Sequence, residues 1–162
     1  MTFEIRRVVR DVVGLIGWVL VCYVPAVIGV FSLPGPWYAA LVKPSWNPPA
    51  WIFGPVWTLL YTLMAVAAWL VWRRGGVRAQ ARPLAWFMAQ LVLNAIWSPL
   101  FFGFRRTGWA FAEIVVMGVA IAFTIRAFAR VQRVAAGLLL PYLAWVGFAT
   151  VLNGTLWWLN RR

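Results

Sequence analysis

The sequence predicts an all-α membrane protein, a bundle of five transmembrane helices in a single domain over residues 1–162, with a Pro/Trp-rich first loop acting as a lid. Hydrophobic residues make up 64% of the chain and charged residues 11%. So much apolar surface exceeds what one small water-facing core can hide, and lipid must cover the remainder. Four runs carry no charge, Val12 to Val42, Pro44 to Trp72, Pro83 to Phe104 and Val134 to Asn160, while Thr107 to Ile125 carries only Glu113. Each run holds a span of about 20 residues. The runs lack the alternation of barrel strands, and a helix satisfies every backbone polar group internally, as hydrocarbon requires.

The spans are expected at roughly 12–32, 53–72, 84–104, 109–129 and 135–157. Arg6, Arg7 and Arg10 before the first span would also suit a signal peptide. The apolar stretch is too long for one and has no convincing Ala-x-Ala site, which favours a retained helix. Pro25 in the first span and Pro141 in the fifth each remove a backbone hydrogen bond and are candidate bends.

In the second span Trp57, Tyr61, Ala65 and Ala68 share one helical face. Gln90, Asn94, Trp97 and Ser98 do the same in the third, and Trp145, Ala149, Leu152 and Asn153 in the fifth. Large rings beside small residues leave room for something flat. The plainer alternative is that Gln90, Asn94 and Asn153 only hydrogen-bond between helices. Glu113, in the first turns of the fourth span, is expected to be a helix-end carboxylate stabilised by the dipole and by Arg105 or Arg106. Ala85 with Ala89, and Gly118 with Ala122, are small pairs that permit close helix approach.

The longest connection, Leu33 to Trp51, reads LPGPWYAALVKPSWNPPAW and holds Pro34, Pro36, Pro44, Pro48 and Pro49. It is expected to be a stiff cover over a pocket, or else an aromatic belt at the headgroup level. One side of the membrane receives Arg6, Arg7, Arg10, Arg73, Arg74, Arg78, Arg82, Arg126, Arg130 and Arg133, and the other Lys43, Arg105, Arg106, Arg161 and Arg162. That bias places the N-terminus in the cytoplasm.

Several classes of chemistry are excluded or disfavoured. The net charge of +12 lies in short clusters with no continuous stripe, so no nucleic-acid partner is expected; membrane lipid is. Cys22 is the only cysteine and there is no histidine, so no metal site is expected. Glu4, Asp11 and Glu113 are the only acids and offer no paired site for conventional hydrolysis.

The segment WYAALVKPSWNPPAWIFGPVWTLLYTLM, Trp37 to Met64, resembles the signature of the tryptophan-rich sensory protein and translocator protein family, TspO/MBR. The likeness continues through AQLVLNAIWSPLFFG, Ala89 to Gly103, GWA, Gly108 to Ala110, and PYLAWVGFATVLN, Pro141 to Asn153. The resemblance implies five membrane helices, a homodimer, a pocket closed by the first loop, and porphyrin (protoporphyrin IX or haem) as ligand, with no obligatory cofactor. It implies pocket or lid roles for Tyr38, Trp46, Pro48, Pro49, Asn94, Trp97 and Ser98, and a light-dependent role in protoporphyrin breakdown for Trp57 and Trp145. Tyr61 joins the ligand-binding set through its place on the Trp57 face. Lys43 and Asn94 are candidate partners for the porphyrin propionates. With no histidine, recognition would rest on the macrocycle and not on iron.

Three roles follow from the resemblance: a tetrapyrrole-binding sensor or regulator, a photochemical protoporphyrin-degrading enzyme, and a transporter of tetrapyrroles or other apolar ligands. Cholesterol transport is not expected, because Gly154 stands where the family's sterol motif has a tyrosine. A short sterol-type pattern at Leu33, Tyr38 and Lys43 is of a kind that arises readily in apolar sequence.

Overall fold

A computed structural model describes residues 2–161, with the side chains of Thr2 and Phe3 left aside. Arg162, counted above in the charge bias, lies outside the described residues. The helices are α1 (Thr2–Val30), α2 (Pro36–Ala40), α3 (Phe53–Trp72), α4 (Gly76–Ala79), α5 (Ala81–Ser98), α6 (Thr107–Ala129), α7 (Arg133–Leu138) and α8 (Leu140–Leu159). A single 3-10 turn, Ala50–Ile52, leads into α3, and a π-helical turn, Pro99–Gly103, extends α5. Among the described residues five helical stretches are long and apolar enough to cross a membrane: Glu4–Val30, Ala50–Trp72, Ala81–Gly103, Thr107–Ala129 and Arg133–Leu159.

The first helix differs most from expectation, since it starts at Thr2, not near residue 12, and stops at Val30. Its 29 residues make a rod of about 43 Å, longer than the roughly 30 Å hydrocarbon layer, so its first turns reach past the apolar layer. Those turns carry Arg6, Arg7 and Arg10, all exposed. Asp11 there accepts from Arg10 at 3.1 Å and Arg73 at 2.9 Å, and its carbonyl accepts the Trp69 indole N–H at 2.8 Å. This polar clasp ties the start of α1 to the end of α3. Pro25 lies within α1. Pro141 instead stands in the first turn of α8, after a break at Leu139 that divides the fifth span into α7 and α8. A helix start accepts proline because the missing N–H has no helical partner there.

Helices α1, α5, α6 and α8 follow one another around the bundle, and α3 closes the ring against α1 on one side and α7 and α8 on the other. The core is mostly apolar, with Met64, Ala65, Ala67, Ala68 and Val71 from α3 meeting Phe87, Ile121, Phe128 and Tyr142. The alanines bring the α3 backbone close to its neighbours, which is how membrane helices gain contact where apolar burial alone supplies little drive. Gly14 serves the same end: a Cβ there would fall on the six-membered ring of Trp72.

Candidate functional site beneath the first loop

The first loop is built, not loose. Pro36 opens α2 with its φ already helical, Asn47 N–H closes a turn on the Pro44 carbonyl at 3.0 Å, and Ile52 N–H returns to Pro49 at 3.1 Å. Its rings press on the π-helical turn at the end of α5 and on the middle of α8. Tyr38 meets Phe101 and Phe102 at centroid distances of 6.1 and 5.3 Å, Trp37 meets Phe101 at 6.0 Å, and Trp46 meets Phe148 at 5.9 Å. These separations suit edge-on aromatic packing. The loop therefore covers one end of the bundle.

Under it lies a cavity of about 40 Å³ lined by Tyr38, Phe53, Trp97, Phe101, Phe102, Ala149, Leu152, Asn153 and Leu156. A water needs about 10–15 Å³ of such space, so a few would fill it, whereas ligand pockets run to about 300–1,000 Å³. The structure is thus a closed form. A macrocycle enters only if the cover and the rings beneath it move apart.

Of the residues singled out in the sequence, Tyr38, Trp97 and the fifth-span residues Ala149, Leu152 and Asn153 reach this cavity directly. Trp145 stands one ring away, 5.9 Å from Phe53 and 5.5 Å from Phe148. Trp57 is set deeper, stacked on Tyr61 at 5.2 Å. Trp46 is 45% exposed on the outer side, Pro48 is half-buried and Pro49 exposed. Ser98 is turned toward Gly29 of α1. The tryptophans and the cover thus cluster at one end of the bundle, while Ser98 faces a helix contact.

The polar residues divide in the same way. Buried Asn94 accepts the Tyr61 hydroxyl at 2.9 Å and donates to the Tyr142 hydroxyl at 3.1 Å, joining α3, α5 and α8. Asn153 accepts the Trp97 indole N–H at 3.1 Å and donates to the Thr107 carbonyl at 2.9 Å. Both amides serve as interhelical bonds, and Asn94 is occupied in the closed form. Gln90, only 1% exposed, has no partner for either amide atom among the described residues. Lys43 donates to the carbonyls of Ala39 and Leu41 at 2.9 and 3.1 Å and lies over the Tyr38 ring, so it caps α2.

Glu113 departs from expectation: both carboxylate oxygens are buried with no hydrogen-bond partner among the described residues. Arg105 instead lies over the Trp37 ring at 6.0 Å, in a left-handed conformation with φ of 58°. Gly154 packs against Phe111, whose Cε2 would sit 2.9 Å from an added Cβ. The place of the absent tyrosine therefore has no room for one unless Phe111 shifts.

Four cavity walls, Phe53, Phe101, Phe102 and Leu156, and Phe148, which packs on Trp46 and Trp145, carry no signal in the sequence. A phenylalanine in an apolar run gives no periodic contrast, and the π-helical turn that aims Phe101 and Phe102 at the cover has no sequence signature of its own.

The TspO/MBR family matches residues 16–159. The chain is 47% identical to the translocator protein of Homo sapiens over 123 residues, 75% of this chain and 73% of that protein. It is 42% identical to the tryptophan-rich sensory protein of Cereibacter sphaeroides over 132 residues, 82% of each. Against the tryptophan-rich protein TspO of Chlorobaculum tepidum the identity is 44% over 132 residues, 78% of this chain and 82% of that protein.

Proposed function

The chain, an integral multi-pass membrane protein, belongs to the TspO/MBR family, and from that premise we propose that it binds a porphyrin beneath its first loop as a membrane sensor or regulator of tetrapyrrole level. The observation that carries this reading is the aromatic wall of the covered cavity, Tyr38, Phe53, Trp97, Phe101 and Phe102. A flat π-system gains from stacking on such rings, and the lining offers no ionisable group besides the Tyr38 phenol, so the ligand core is apolar. Arg105, at the rim beside Trp37, is the cation offered to a propionate once the cover lifts, in place of Lys43 with its carbonyl contacts.

Titration of the purified protein with protoporphyrin IX, read as quenching of tryptophan fluorescence, tests the proposal. Saturable quenching that weakens when Trp97 and Trp145 are replaced by Ala is expected. Quenching with no saturation, or no change in the variants, would remove the site. Haem should bind no more than comparably to the metal-free ring, because the chain has no histidine to ligate iron.

A photochemical role is the second reading. It is favoured by the stack of Trp57 on Tyr61, whose hydroxyl donates to Asn94. An excited porphyrin that takes one electron from Trp57 and passes it to oxygen leaves superoxide and an indole radical cation stacked on the electron-rich Tyr61 ring; the proton that the radical cation then releases is taken up by the superoxide. Oxygen would be the terminal oxidant.

Two further features belong to the proposal. The ten-arginine end, with the N-terminus, faces the cytoplasm. Ala85 and Ala89 are exposed on α5, whereas Gly118 lies against Val146 of α8, so the alanine pair is the close-approach surface open to a second copy in a homodimer.

A further inference from the structure

Residues 33–48 touch the rest of the described chain through rings at several points, but through hydrogen bonds at only one. The Val42 N–H donates to Asn160 Oδ1 at 3.0 Å, and Asn160 Nδ2 donates to the Val42 carbonyl at 2.9 Å. Asn160 stands just beyond α8, 118 positions from Val42, and its carboxamide pairs with that peptide much as a neighbouring strand would. Its second amide hydrogen goes to the Leu156 carbonyl at 2.9 Å, and its backbone N–H to Leu156 and Trp157 at 3.2 and 3.3 Å. The side chain is thereby fixed by the end of the helix, with both amide hydrogens donated and the oxygen accepting the Val42 N–H.

Position makes this contact more than a helix cap. Val42 lies midway in sequence between Tyr38, which lines the cavity, and Trp46, which packs on Phe148. Ring-on-ring contacts tolerate sliding, whereas a reciprocal pair of hydrogen bonds holds one register. An aliphatic residue at 160 supplies neither bond. An aspartate keeps the acceptor for the Val42 N–H but loses the donor to its carbonyl.

We propose that Asn160 is the latch of the cover: its pairing with Val42 sets how often the first loop lifts from the cavity and so the rate at which an apolar ligand enters and leaves. The ligand-rate part rests on the porphyrin reading, whereas the motion of the cover does not.

The test is amide hydrogen exchange of the full chain in lipid nanodiscs, comparing the wild type with Asn160→Ala and Asn160→Asp. Loss of both bonds should speed exchange across residues 36–47 about tenfold in Asn160→Ala, with a smaller rise in Asn160→Asp. Exchange in α3 and α5 should not change. Protoporphyrin IX dissociation, followed by its fluorescence, should accelerate in the same order, with association faster as well, so that affinity changes less than either rate. Unchanged exchange over 36–47 in both variants would overturn the latch, as would a loss of protection spread through the whole bundle. If exchange rises as expected while even the wild type binds no porphyrin, the latch stands and the ligand reading fails.

Discussion

Tyr61 donates its hydroxyl to Asn94 Oδ1 at 2.9 Å, and this bond from α3 to α5 heads a chain that passes through Asn94 Nδ2 to Tyr142 on α8 and from Tyr142 to Met117 Sδ on α6. Four of the five spans are thereby tied at one level of the bundle. Replacing Asn94 by Leu strands the Tyr61 hydroxyl and removes a partner of Tyr142. A loss of about 1–2 kcal/mol is expected in mixed-micelle unfolding, the upper part of the range measured for membrane hydrogen bonds. Tyr61→Phe, which removes one bond, should cost about half as much.

Two glycines of α1 should respond in opposite directions to the same substitution. Gly14→Ala drives a methyl into Trp72, the ring over which Arg10 lies at 5.8 Å, and should destabilise by about 1–3 kcal/mol. Gly17 has nothing within 4 Å of an added Cβ, so Gly17→Ala should be neutral or stabilise by up to about 1 kcal/mol through helix propensity. Unfolding of the two variants side by side checks this; equal effects would contradict the packing of α1 on α3.

The cover should loosen in alkali. Burial raises the Tyr38 phenol above its ordinary value of 10.0, and the hydrogen bond it donates to Asn47 at 3.3 Å is one that only the neutral phenol can make. The closed cover holds the neutral phenol and the open one releases it, so the Tyr38 contribution is whole below pH 10 and is lost as pH rises through the elevated value. Tyrosinate absorbance of the wild type minus Tyr38→Phe should show this late titration. A group ionising at or below 10 would contradict the buried placement.

How far these features were legible in the sequence varies with the distance over which they act. The five spans, and the inward faces of Gln90 with Asn94 and of Leu152 with Asn153, follow from composition and helical spacing, both of them local. The start of α1 does not, because Arg6, Arg7 and Arg10 read as the edge of an apolar run, although a helix can continue beyond the hydrocarbon. Glu113 reads from its place in the chain as a helix-end carboxylate, yet its oxygens are buried by tertiary packing. Val42 and Asn160 lie in polar-flanked ends that carry no mutual signal.

If Trp57 and Trp145 act as redox partners, replacing both by Phe should slow the light-driven loss of bound protoporphyrin about tenfold or more, followed by absorbance under illumination in air. Since Trp57 stacks on Tyr61 and Trp145 lies against Phe53 and Phe148, phenylalanine preserves much of the packing. An unchanged rate would leave binding without the photochemistry.

The claim that the covered aromatic cavity is the ligand site is tested most directly by filling it. Ala149 is the smallest side chain in its lining, and Ala149→Phe places a ring where the macrocycle would enter. The dissociation constant of protoporphyrin IX, measured by fluorescence quenching for the wild type and this variant, should rise about tenfold or more on substitution. Equal affinity in the two proteins, with the variant folded, would contradict the account.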